Sequence, residues 1–171
     1  MRKFNFPDPV CPDQRHAASD ILDKPTKDDK PGRLPTNRAA RSRCKAAYRK
    51  AVDDHDCNPL KTPVLVDIDC SAKFSTFGIN IAKTLTRTRG IQGGPWVSTR
   101  GRRVTIDEML RLQGFEPKDV DWTGAGVTAA QLGGMLGNAV TVQTVGHLLA
   151  AAMHASGLTK KRLTFGNSYT M

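Results

Sequence analysis

The strongest local constraint in the chain is the stretch Arg103-Val104-Thr105-Ile106-Asp107-Glu108-Met109-Leu110-Arg111-Leu112-Gln113-Gly114-Phe115. Thr105 offers a hydroxyl oxygen where a helix N-cap needs an acceptor, and Glu108 stands at capping-box spacing three residues on. Ile106, Met109, Leu110 and Gln113 fall at i, i+3, i+4 and i+7, so three apolar side chains share one face. Gly114 suits the left-handed residue that ends a helix, and Phe115 can fold back onto the last turn. The segment therefore predicts a short, well-capped helix with one face that needs an apolar partner.

At 171 residues the chain has room for one ordinary domain or for a large piece of a bigger fold. A net charge of +10 points to an anionic partner, nucleic acid first, with a basic protein lacking such a partner as the alternative. No apolar run approaches the roughly 18 residues of a membrane span, so no membrane partner is expected. The N-terminus Met-Arg-Lys-Phe-Asn-Phe-Pro-Asp has no signal-peptide core. The expectation is an intracellular protein: nuclear in a eukaryote, cytoplasmic or nucleoid-associated in a bacterium or phage. Cys11, Cys44, Cys57 and Cys70 form no C-x-x-C pair, which predicts reduced thiols and no metal site. His55 beside Cys57 reads as loop.

Residues 1–36 are broken by Pro7, Pro9, Pro12, Pro25, Pro31 and Pro35 and read as a charged linker or loop. One apolar island, Ala17 to Leu22, is a candidate docking point. From Asn37 to Asp54 alanines alternate with Arg41, Arg43, Lys45, Arg49 and Lys50, which predicts a helix with a stripe of small residues. It is either a basic helix along phosphates or a weakly packed surface helix. Pro63 to Cys70 predicts a strand, and Phe74 to Ile79 a second strand or an irregular turn. Residues 81–103 read as two short extended pieces around a glycine loop, Gly90 to Gly94, ringed by Arg87, Arg89, Arg100, Arg102 and Arg103. Such a loop suits phosphate and base-edge contacts, and a plain basic hairpin would share the pattern.

A polar link holding Trp122 leads to a short helix from Thr128. The glycines at 133, 134 and 137 argue against its continuation and make Gly137-Asn138 a tight stop. Thr141 can cap a last helix with an apolar stripe of Val142, Val145, Leu149, Ala152 and Met153, ended by Gly157.

These segments, in this order, resemble the C-terminal half of the DNA cytosine-5 methyltransferases. Arg103 through Phe115 is similar to the family's ninth motif, and Gly137-Asn138-Ala139-Val140 to the centre of its tenth. Thr84-Leu85-Thr86 with Gly90, Gly93 and Gly94 looks like the end of its target recognition domain. Differences from the motifs include Asp107, Thr141 and the run Leu132-Gly133-Gly134-Met135. The resemblance implies an α/β fold. A partial Rossmann-like S-adenosylmethionine methyltransferase domain, its C-terminal helices, would join a small, irregular mixed α/β recognition domain. The implied organisation is a linker (1–36), part of the recognition domain (37–102), the C-terminal part of the catalytic domain (103–157) and a tail (158–171).

It also implies roles. Asn138 and Val140 would contact S-adenosylmethionine, the site being only partly present in this chain. Thr84, Thr86, Arg87, Arg89, Gly90, Gly93 and Gly94 would face double-stranded DNA. Arg103, Thr105, Glu108, Arg111, Gln113 and Gly114 would pack the recognition domain on the catalytic domain. On the residues alone, Asn138 could equally be a helix stop and Arg111 a solvated charge. Family chemistry uses a cysteine in a Pro-Cys-Gln context on a flipped cytosine, with a Glu-Asn-Val glutamate. This sequence contains neither tripeptide, no Phe-x-Gly-x-Gly turn, and Cys11 stands in another context. No catalytic residue is expected here, and a complementary chain would carry both motifs. A non-enzymatic, sequence-reading DNA-binding module is the alternative. A third reading is a fragment whose helices at 105–113 and 142–153 expose faces meant for a parallel sheet outside this chain.

Overall fold

The computed structural model describes residues 17–71 and 76–161. They fall in two compact units, one reaching to Ala139 and the other beginning at Val140. The boundary expected at 102/103 lies inside the first unit.

The first unit is organised on β1, Val64–Val66, whose residues are all buried. It pairs antiparallel with β2 (Phe77–Ile79) on one side and β3 (Trp96–Val97) on the other. β4 (Arg102–Arg103) pairs antiparallel with β3, giving the order β2-β1-β3-β4. Strand side chains alternate between faces. Leu65 and Val97 therefore enter one core, while Val64 and Val66 enter a second on the other side.

Helix α2 (Arg38–His55) covers the Val64/Val66 face with Ala40, Cys44, Ala47 and Ala51. The Asn37 side chain starts it by accepting from the amides of Ala39 and Ala40, and Asp56, at φ 47°, ends it. Small residues make this stripe because they let the helix lie close on the sheet, so the weakly packed helix of one expectation is in fact a layer of the core. Burial pushes the Cys44 thiol up to about 12 and raises the Tyr48 phenol as well.

The other face carries α1 (Ala18–Ile21), α4 (Ile106–Gln113) and α5 (Ala129–Asn138). Ala18, Leu22, Met109, Leu110, Leu132 and Leu136 close over Leu65, Leu85 and Val97, with Trp122 and Val127 packed at the edge. The apolar side of α4 is thus satisfied within this chain, against an antiparallel sheet. The parallel sheet expected from outside is not what covers it.

Two local expectations need correction. The 81–103 segment is not a pair of extended pieces: Arg87–Ile91 forms α3, a turn through Gly93 and Gly94 follows, and β3 then pairs with β4. Likewise α5 continues through Gly133, Gly134 and Gly137 to Asn138. One contact explains both. Gly90 lies against Gly133, and a Cβ on either would meet the other's carbonyl oxygen, while one on Gly137 would meet the Thr86 carbonyl and the Arg87 amide. Glycine costs about 1 kcal/mol in a helix interior, a penalty that close packing of two helices offsets. The 17–36 stretch, expected as a linker, is also tied in. The amides of Ala18, Lys30 and Gly32 donate to the carbonyls of Asn80 (2.7 Å), Arg100 (3.0 Å) and Ser98 (2.9 Å).

In the second unit α6 (Val142–Ala155) starts at Thr141, whose Oγ1 accepts from the Thr144 amide at 3.3 Å. Its buried residues are Gly146, Ala150, Ala151 and Ala155, whereas Val145, Leu149 and Met153 are exposed. The expected stripe of large residues is therefore not the buried face. No helix among the described residues is long and apolar enough to cross a membrane.

Gly133→Ala is expected to lower stability by at least about 3 kcal/mol, because neither backbone can yield cheaply to an added methyl. Gly126→Ala, whose Cβ would meet nothing within 4 Å, should cost only about 1 kcal/mol for its φ of +69°. Urea titration distinguishes the two. The raised Cys44 thiol also sets a pH dependence. Its contribution is complete well below pH 9.0, the pH at which the unfolded thiol is half ionised, and is lost as pH rises toward 12. The slope is about 1.4 kcal/mol per pH unit for that group, and Cys44→Ala should give a shallower alkaline loss in denaturation midpoints.

Candidate functional site

The charged residues near α4 form a connected network with Glu108 at its centre. Thr105 caps the helix through its Oγ1, which accepts from the Glu108 amide at 3.1 Å. The Glu108 carboxylate accepts from the Thr105 amide at 2.7 Å, which completes the capping box. The same carboxylate, 0% exposed, accepts both Arg102 Nη1 (2.9 Å) and Nη2 (3.0 Å) and the Asp23 amide (3.0 Å). A carboxylate can stay ionised out of water only when its lone pairs are occupied in this way. Glu108 in turn raises the Arg102 guanidinium above its ordinary pKa, chiefly by hydrogen bonding.

From this centre the network spreads. Arg102 Nε also donates to Asp29 at 2.9 Å, and Arg100 approaches Asp29 at 3.6 Å. Thr105 Oγ1 donates to Asp23 at 3.2 Å, and Arg111 Nη1 reaches Asp23 Oδ1 at 2.8 Å and the Ile21 carbonyl at 3.0 Å. Arg103 grips Asp69 with both terminal nitrogens, at 2.7 and 2.8 Å, and donates to the Gly94 carbonyl at 2.6 Å. Arg89 pairs with Asp67 at 2.8 Å. The buried Gln113 side chain donates to the Leu136 carbonyl at 2.9 Å, fastening α4 to α5. Gly114, at φ 86°, closes α4 in a Schellman turn in which the amides of Gly114 and Phe115 donate to the carbonyls of Arg111 and Leu110. Phe115 is 36% exposed.

The expected site residues therefore separate by environment. Arg103, Thr105, Glu108, Arg111, Gln113 and Gly114 come together around α4. Gly90 and Gly94 are buried, Gly94 with its Cβ position against Val104 and Met109. Arg89 and Gly93 are half-buried. Thr84, Thr86 and Arg87 are exposed, and among the described residues Arg87 makes no ion pair. Gly137 of α5 sits on the Thr86–Arg87 peptide, so α5 fixes where that exposed corner lies. Asn138 is exposed at the end of α5, and Val140, in the second unit, is 59% exposed. An amide and an apolar side chain are chemically suited to a cofactor's polar and apolar parts.

Sequence reasoning missed the acidic partners Asp23, Asp29, Asp67 and Asp69. Nothing in their spacing marked them, since each meets its arginine through the tertiary fold. Among the described residues no group of three or more His, Cys, Asp or Glu side chains could hold a metal. Cys44, Cys57 and Cys70 are buried, and Cys11 lies outside the described residues. A thiol pushed up to about 12 stays protonated at neutral pH, so Cys44 is no nucleophile.

Against known families, the model of the C-5 cytosine-specific DNA methylases matches residues 4–154. Comparisons with curated proteins and with solved structures gave no match.

Glu108→Gln should cost about 3 to 5 kcal/mol in urea denaturation, because it leaves Arg102 facing an uncharged group inside the fold. Arg111→Ala, whose pair with Asp23 is about one-third exposed on each side, should cost about 1 kcal/mol or less.

Proposed function

The chain belongs to the C-5 cytosine-specific DNA methylase family, and we propose that it is the C-terminal portion of such an enzyme, working as a split subunit or a truncated product. The reading assigns it target recognition on double-stranded DNA and part of the S-adenosylmethionine site. A complementary chain supplies the Pro-Cys-Gln and Glu-Asn-Val motifs. One observation carries it: the ninth-motif-like helix α4 is clamped to the tenth-motif-like helix α5 through Gln113 and Leu136. α5 in turn carries the exposed Thr86–Arg87 corner on Gly137. The exposed Thr86–Arg87 corner and Asn138, the last residue of α5, then share that helix as their support.

In this reading Thr84, Thr86 and Arg87 meet phosphates and base edges, as exposed hydroxyls and an exposed guanidinium suit. Arg89, Gly90, Gly93 and Gly94 shape that corner from beneath. Arg103, Thr105, Glu108, Arg111 and Gly114 keep α4 in place. Asn138 and Val140 would hold S-adenosylmethionine, which when bound supplies the methyl group for cytosine C5. The isolated chain is inactive in this account.

Two measurements test it. With labelled S-adenosylmethionine and duplex DNA, methyl transfer should require both this chain and a half bearing the two missing motifs. Absence of transfer with a well-folded complementary half overturns the subunit reading. Cofactor-independent DNA binding would then favour a sequence-reading module without chemistry. Arg87→Ala should reduce the slope of log affinity against log salt by about 0.9, as loss of one phosphate contact does, with the denaturation midpoint unchanged.

A further inference from the structure

The +10 charge of the chain does not come from the arginines around α4. Arg89, Arg100, Arg102, Arg103 and Arg111 are matched by Asp67, Asp29, Glu108, Asp69 and Asp23. That network is neutral as a whole, so the surplus lies elsewhere. A large share of it stands on α2. Arg38, Arg41, Lys45 and Arg49 occupy positions i, i+3, i+7 and i+11, which fall on one side of a helix. All four are exposed, and they lie opposite the buried stripe of Ala40, Cys44, Ala47 and Ala51. Among the described residues none of the four makes an ion pair. Arg41 donates from Nε to the Pro35 carbonyl at 3.1 Å, which keeps its charge near the start of the helix.

We propose that the outer face of α2 is a second, sequence-independent contact for duplex DNA, on the opposite side of the sheet from α4 and α5. The inference rests on the reading that the chain works on DNA, and it assigns a surface that reading leaves unused. Charge complementarity and length commit it to a duplex. From Arg38 to Arg49 the stripe runs about 16 Å along the helix axis, enough to reach phosphates on both walls of a major groove about 12 Å wide. The stripe carries no aromatic side chain, and stacking platforms are what single-stranded nucleic acid requires. Because α2 is packed on Val64 and Val66 through its other face, the cations are presented on a rigid support.

The test uses the full chain and a short duplex of arbitrary sequence, titrated at several salt concentrations. The triple variant Arg38→Gln, Lys45→Gln, Arg49→Gln should lower the slope of log affinity against log salt by about 2.7, or about 0.9 per lost contact. A control removing the same charge elsewhere, Lys24→Gln, Lys27→Gln, Lys118→Gln, should leave the slope nearly unchanged. These lysines are exposed and off the stripe, and matching thermal melts for both variants confirm that folding is intact. Equal slope changes in the two variants, or none in the stripe variant, overturn the proposal. So does a stripe variant that loses affinity for single-stranded DNA only. If wild type binds duplex through Arg87 but not through α2, the proposal fails alone. If wild type binds no duplex, the underlying reading fails with it.

Discussion

A single buried carboxylate joins three separate parts of this chain. Glu108 is out of contact with water and accepts four hydrogen bonds: two from Arg102 and one each from the amides of Thr105 and Asp23. One bond starts a helix, two neutralise the charge, and the last recruits a segment 85 residues earlier in the chain. Each oxygen accepts two of these bonds, Oε1 from Asp23 and Arg102 and Oε2 from Thr105 and Arg102, so the buried carboxylate is fully partnered. The network makes the 17–36 stretch part of the fold. Asp23 and Asp29 then hold Arg111, Arg100 and Arg102 in turn.

Around that centre the architecture follows from alternation on one short strand. β1 sends Leu65 to the side of α4 and α5, and Val64 and Val66 to the side of α2. The two sides differ in side-chain size. Leucines and a methionine fill the first, while alanines and a cysteine let α2 press close on the second. The exposed Thr86–Arg87 corner rests on Gly137 of α5, and the cationic stripe rests on α2. Candidate contacts with DNA are therefore carried by helices whose inner faces are fixed in the core.

What the sequence made legible was local. Thr105 and Glu108 are three residues apart, so their capping box is written in adjacent positions, and Gly114 marks the end of the same helix. The same holds for Thr128 and Thr141 before α5 and α6. Partners distant in sequence were illegible. An arginine-rich segment looks like a phosphate reader until Asp67, Asp69, Asp29 and Asp23 are seen to meet it. α3 and the second half of α5 were hidden because glycine disfavours helix in isolation, and only the Gly90–Gly133 contact reverses that preference. On α6 the large apolar residues and the small ones offer two competing faces, and periodicity cannot rank them. The family resemblance, carried by α4 and by Gly137 to Val140, agrees with the family match over residues 4–154.

Native-state hydrogen exchange at the Asp23 amide bears most directly on the role of Glu108. If Glu108 fastens the early segment to the core, that amide opens only when the unit does. Its opening free energy should then equal those of the Thr105 amide, bonded to the same carboxylate, and of Ser98, bonded to the Val64 carbonyl. Exchange of Asp23 at the rate of an unstructured loop, with Ser98 fully protected, would contradict the account.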